Sequence, residues 1–124
     1  SDFGFHNALE FKGVIHFLDF EYAGWDDPSK LTCDFVCQPD HPLDLELARL
    51  FVKDMCTTLD STMSGERVES LLPLHRLKWC CIIMNGFRGM EWSRFSSAGP
   101  AEVDVMRSQF LKASAYFDEH LAQA

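Results

Sequence analysis

Two short apolar runs, residues 8–11 and 14–18, are separated only by Lys12-Gly13. Runs of four or five residues are too short to stand as helices. A two-residue connection ending in glycine supplies the backbone of a tight hairpin turn. An antiparallel hairpin is therefore expected near the start of the 124-residue chain, and it fixes where the polar residues around it end up. Asp2 and Asn7 stand five apart just before the first run, and the second run delivers Asp19 in the tripeptide Asp19-Phe20-Glu21. The layout is an acid and an amide on a loop, then a hairpin, then a second acid at the strand end.

Such a layout suits a site that holds a metal ion against a phosphate. In phosphoryl transfer the protein mainly positions groups and neutralises charge. Mg²⁺ takes oxygen ligands, commonly one or two carboxylates together with phosphate oxygens and water. Asn7 and Asp19 offer such oxygens, and Asp2 is placed to accept the proton of a substrate hydroxyl. The same acids also read as turn and cap residues: Asp2 in a loop, Asp19 at a strand-end turn, Asp27 at a helix start.

Asp-x-x-x-x-Asn, a hairpin and Asp-Phe form the catalytic-loop and metal-loop pattern of the protein-kinase signature. On Asp2, Asn7, the stretch Leu18-Asp19-Phe20-Glu21-Tyr22-Ala23-Gly24-Trp25 and Asp27-Pro28, the chain resembles the C-terminal lobe of the aminoglycoside phosphotransferase and choline kinase-like enzymes. Asp-Phe-Glu-Tyr in place of Asp-Phe-Gly points to the choline kinase side. The match covers about the first 35 residues. The resemblance implies a catalytic acid/base at Asp2 and Mg²⁺ ligands at Asn7 and Asp19. It also implies a second metal contact at Glu21 and a buried acid, Asp34, that braces the catalytic loop through its backbone. ATP is the implied phosphoryl donor. The chain then reads as one partial domain, residues 1–124, a C-terminal piece of an enzyme whose N-terminal nucleotide lobe is absent. A fragment of this kind is expected to be inactive alone, and surface left uncovered by a missing lobe favours self-association.

Beyond the hairpin the pattern is helical. Asp27-Pro28 reads as a cap followed by proline at the first helical position, opening a helix to about residue 37 with Leu31, Asp34 and Phe35 facing inward. Asp40 and Pro42 read as the opening of the next helix, on which Leu43, Leu47, Leu50, Phe51 and Met55 recur at helical spacing. Residues 57–65 read as a loop, and Ser64 as the cap of a third helix. The second half of that helix is apolar nearly all round, which implies a central position. Pro73 is expected to kink or split it, and His75 is read as a satisfied or half-exposed histidine. Residues 87–97 are rich in aromatics, and Trp79, Trp92 and Glu91 are candidates for a pocket that receives an ammonium group. The alternative places these rings in the core. A last helix starts at Gly99-Pro100 with Val103, Met106, Phe110, Ala113, Phe117 and Leu121 as its apolar stripe.

The net charge of −8 argues against a nucleic-acid backbone as partner. It fits a cationic substrate or simple solubility. No apolar run approaches the roughly 18 residues of a membrane span, so no membrane partner is expected. Five cysteines, two of them adjacent at Cys80-Cys81, read as reduced and mostly buried thiols of a cytoplasmic protein. Cys33, Cys37 and His41 lack the Cys-x-x-Cys pairing of a zinc site.

The expected fold is α+β and mostly helical: a protein-kinase-like C-terminal lobe with one β-hairpin packed on four to five helices. The expected function is Mg²⁺-assisted transfer of a phosphoryl group from ATP to a hydroxyl of a small molecule, amine-bearing substrates included. The competing readings are a non-catalytic, pseudokinase-like scaffold and a small helical interaction domain.

Overall fold

The computed structural model describes residues 3–20, 24–59, 63–87 and 100–122. Its elements in chain order are β1 (Ala8–Phe11), β2 (Val14–Phe17), α1 (Pro28–Val36), α2 (Leu45–Leu59), α3 (Gly65–Ile83) and α4 (Pro100–His120). Single 3₁₀ turns occupy Phe5–Asn7 and Met84–Phe87. The architecture is mostly helical, with one two-stranded antiparallel sheet. The chain divides into two compact units, residues 1–75 and 76–124, with the boundary inside α3.

β1 and β2 pair Ala8 with Phe17 and Phe11 with Val14. Lys12 and Gly13 both have positive φ, 53° and 77°, as a type I′ hairpin turn requires. Directly paired residues share a face, so one face carries Ala8, Glu10, Ile15 and Phe17 and the other Leu9, Phe11, Val14 and His16. Both faces are apolar, yet a single sheet layer rests on a neighbour with one face at most. The hairpin accordingly does not lie packed on the helices as the sequence suggested. Leu9, Phe11, Val14 and Ile15 are more than half exposed. Contact with the helices runs through its foot: the Phe17 ring lies 4.8 Å from that of Phe3, which lies 5.4 Å from Phe35 of α1.

The helix starts follow from their caps. Asp27 caps α1, its carboxylate accepting from the Ser29 N–H at 2.9 Å, with Pro28 in the first turn. α2 begins at Leu45, later than Asp40 and Pro42 suggested. The Gln38 side-chain oxygen accepts from the N–H groups of Asp40 and His41 at 2.6 and 2.8 Å, which holds that segment in a turn. Asp44 then caps α2 through the Leu47 N–H at 2.8 Å. At its other end α2 runs to Leu59, three residues into the segment expected to be a loop. The Thr57 hydroxyl donates back to the Lys53 carbonyl, and Leu59 packs on the core. Ser64 caps α3 through Arg67 N–H. Pro73 does not split α3. Its ring is exposed, and the carbonyl that loses its N–H partner belongs to Glu69, itself exposed.

Cys33 of α1, Met63 and Val68 of α3 form the buried centre of the first unit, ringed by Val52, Met55, Cys56, Leu59, Leu71 and Leu72. In the second unit α4 buries Met106, Ala113 and Tyr116, and the Arg76 guanidinium donates to the His120 carbonyl near the end of α4. The second half of α3 is less central than its apolar character implied. Trp79 and Cys80 are buried, but Leu74, Leu77, Cys81 and Ile82 are exposed.

Two outcomes follow from this packing. Val68 is 1% exposed, so Val68→Ala removes two methyl groups from a closed core and should cost about 2 kcal/mol, read from urea unfolding. All five cysteines are reduced thiols. Burial pushes the Cys33 thiol up to about 12, so at pH 8 iodoacetamide should label exposed Cys81 first and Cys33 only under denaturing conditions, as mass spectrometry will show.

Candidate functional site

The open end of the hairpin collects the polar residues singled out from the sequence. Asn7 closes the 3₁₀ turn Phe5–Asn7, its N–H donating to the Gly4 carbonyl at 3.1 Å. The Asn7 carbonyl in turn accepts from the Leu18 N–H at 2.8 Å. The pairing thus continues one step past the strands, and Asp19 follows directly on the strand opposite Asn7. Asp2 and Glu21 lie outside the described residues. Glu91 and Trp92 do as well, while Trp79 belongs to the second unit, buried, with its indole N–H unpartnered.

Asp19 has φ 59°. A left-handed backbone costs a residue with a Cβ about 1–2 kcal/mol, least for Asp and Asn, and such strain is concentrated at functional positions. The carboxylate is exposed, and among the described residues no hydrogen bond or ion pair engages it.

The three aspartates at and in α1 are engaged. Asp27 accepts from Ser29 N–H and from Arg67, and the Arg67 guanidinium, then the Ser29 N–H, hold its carboxyl below the usual range. The Lys30 ammonium does the same to Asp26. Asp34, 7% exposed, is hydrogen-bonded through Oδ1 to Nδ1 of His75, also 7% exposed, at 2.7 Å. The role that the resemblance gives Asp34, bracing the backbone of the Asp2 loop, falls on Asp2, which lies outside the described residues; the Asp34 carboxylate meets the imidazole of α3.

α1 nevertheless supports that loop by other contacts. The Phe35 ring stands 5.4 Å from Phe3 and 5.1 Å from Phe5, and Gln38 Nε2 lies 3.3 Å from His6 Nδ1. Gly4 is required by close approach: a Cβ there would meet the His6 ring at 2.7 Å.

No family model, curated protein or solved structure matches this chain.

Asn7 and Asp19 together offer an amide oxygen and a carboxylate at one end of a hairpin, a hard donor pair that fits Mg²⁺. Among the described residues no group of three or more His, Cys, Asp or Glu is arranged for a metal ion. A cavity of about 370 Å³ was not foreseen from the sequence. It is lined by Trp25, Asp26, Asp27, Lys30, Leu31, Asp34, Met55 and Leu59 among others. Its three carboxylates each have a partner: Asp26 and Asp27 form ion pairs with Lys30 and Arg67, and Asp34 is hydrogen-bonded to His75. No helix among the described residues is long and apolar enough to cross a membrane.

The strain at Asp19 separates a chemical role from a structural one. Asp19→Gly should leave stability unchanged or raise it by up to about 1 kcal/mol, whereas Asp19→Ala should lower it by a similar amount. Thermal unfolding of the two variants beside the parent checks this; a clear loss in Asp19→Gly would make Asp19 a structural turn residue.

Proposed function

We propose that the chain is the C-terminal part of an ATP-dependent small-molecule phosphotransferase with a protein-kinase-like lobe. The observation that supports this most is the placement of Asn7 and Asp19 across one end of the hairpin, with Asp19 strained, exposed and unengaged among the described residues. A residue held at a conformational cost without structural return is one whose value lies in what it binds.

In this reading Asp2 orients and deprotonates the substrate hydroxyl. Asn7 and Asp19, assisted by Glu21, hold the metal-bound phosphates. Mg²⁺, when bound, neutralises the charge of the transferring phosphoryl group. α1 supports the loop through Phe35 and Gln38, and Asp34 belongs to the interior of that support. Trp79 with Glu91 and Trp92 is the candidate wall for an amine-bearing substrate. The nucleotide contacts come from a further lobe, so the chain alone turns over poorly, since positioning and charge neutralisation must coexist.

The test is a Mn²⁺ titration of the ¹⁵N-labelled chain followed by paramagnetic broadening. The amides of Asn7, Leu18 and Asp19 should broaden first, and Asp19→Asn should weaken the effect about tenfold or more. Broadening spread evenly over the acidic surface, unchanged in Asp19→Asn, would overturn the reading and favour a non-catalytic scaffold or interaction domain.

A further inference from the structure

We propose that α4 is the face of a two-fold dimer. Two copies of the chain pair their α4 helices antiparallel, with Arg107 of each opposite Asp118 of the other. The pairing is independent of the phosphotransferase reading, because it uses neither the hairpin nor α1.

The flank of α4 that carries Met106, Ala113 and Tyr116 is buried. The flank beside it is apolar and uncovered: Val103, Phe110 and Phe117 are each between 43% and 54% exposed. Leu121 extends the row, its N–H continuing the helical pattern to the Phe117 carbonyl at 2.8 Å. At 100° per residue these four fall, with Arg107 and Asp118, into an arc of about 100°. Single exposed apolar residues are ordinary on a protein surface. A row of them seven apart is the seam a helix presents to another helix. Beside the row lies a groove of about 210 Å³ walled by Phe87, Met106 and Phe110, and Val103 and Arg107 also line it.

The charges on this arc select the occupant. Arg107 and Asp118 are both exposed, and among the described residues no hydrogen bond or ion pair engages either. They stand eleven residues apart, about 16 Å along the helix, too far to pair with each other. An antiparallel copy brings them together twice. With Arg107 opposite the partner's Asp118, the two-fold axis passes between residues 112 and 113. Val103 then comes level with the partner's Leu121 to within a residue, and Phe110 with the partner's Phe117 to within two. The groove faces the partner's Phe117 and Leu121, and the same contacts repeat across the axis, as an isologous interface requires. A parallel pairing would set Arg107 against Arg107 and Asp118 against Asp118, which is repulsive. A stripe with one cation and one anion at equal distances from its midpoint is complementary to itself, and a second copy is the partner it fits. The strip is about 30 Å long and one helix wide, so it buries less than the roughly 800 Å² per partner of a standard interface. The dimer is accordingly weak and concentration-dependent.

The test is sedimentation velocity under reducing conditions, which keep exposed Cys81 from linking copies covalently. Between about 10 µM and about 1 mM the chain should shift from monomer toward dimer, as a small interface predicts. Arg107→Asp and Asp118→Arg, each alone, set like charges opposite one another twice and should weaken the dimer about fivefold or more. Mixed in equal amounts, the two variants form a heterodimer in which both charge pairs are again of opposite sign, and association should return to that of the unsubstituted chain. The double variant, with both charges reversed, should also dimerise like the parent. Both positions are exposed, so thermal unfolding of every variant should match the parent. A chain that stays monomeric over the whole range would overturn the proposal. A dimer that neither substitution weakens would overturn it as well, and would place self-association on another surface such as the exposed hairpin. So would a loss of association that neither mixing nor the double reversal restores.

Discussion

A carboxylate and an imidazole meet inside the first unit: Asp34 of α1 and His75 of α3 lie 2.7 Å apart, both more than nine-tenths buried. Buried polar groups are tolerated where they are hydrogen-bonded, so the contact ties the two helices at one defined point. Apolar neighbours such as Val68, Leu71 and Leu72 supply the drive for association, and their packing tolerates small shifts more readily than a polar contact does. Next to Asp34, the Phe35 ring reaches outward to Phe3 and Phe5.

The hairpin stands at the far end of this chain of support and gains little from packing of its own. A two-stranded sheet with both faces exposed is marginal in isolation, yet it carries a left-handed Asp19. What holds the strained residue is local: the Asn7–Leu18 hydrogen bond on one side and the I′ turn on the other, with Phe17 anchored on Phe3. The end proposed to be functional is thus built on a largely exposed element, whose foot is joined to α1 through Phe17, Phe3 and Phe35. Elements with few buried contacts are the ones that open most readily, which agrees with the ligand-binding role proposed for it.

Much of this was legible in the sequence because it depends on neighbours in the chain. The hairpin followed from Lys12-Gly13, and the cap of α1 from Asp27-Pro28, since turn and cap chemistry is decided within three or four residues. The start of α2 was misplaced because the side chain of Gln38, only two and three residues back, takes the N–H groups of Asp40 and His41, a turn-forming contact that glutamine does not signal as Asp, Asn or Gly does. Pro73 was expected to kink or split α3; it does not split it, because an exposed proline forfeits one hydrogen bond on the solvent side, a cost the rest of a 19-residue helix absorbs. The partnership of Asp34 with His75 left only a partial signal. His75 falls on the same helical stripe as Val68, Leu71 and Leu72, which marks it as buried, and a buried histidine calls for a partner. Nothing in the order of residues said that the partner lay 41 positions earlier. The exposure of the hairpin was not legible at all, because alternating apolar residues look the same whether or not something covers them.

Sorting the acids by what they already do carries the functional argument further than their sequence pattern. The turn-and-cap interpretation holds for Asp27, which caps α1 and pairs with Arg67. Asp26 is neutralised by Lys30, and Asp34 is enclosed with His75. Each of these carboxylates has a partner within the fold, an ammonium for Asp26, a guanidinium for Asp27 and an imidazole for Asp34. Their clustering around one cavity therefore says little about a cationic ligand, although three aspartates beside an exposed Trp25 would suggest one on composition alone. Asp19 is the exception on every count: strained, exposed, and without a compensating partner among the described residues. On the proposed phosphotransferase reading, the physical account of its presence is a ligand, a divalent cation bearing phosphate, which takes oxygen donors of the kind Asp19 and Asn7 carry at this end of the hairpin.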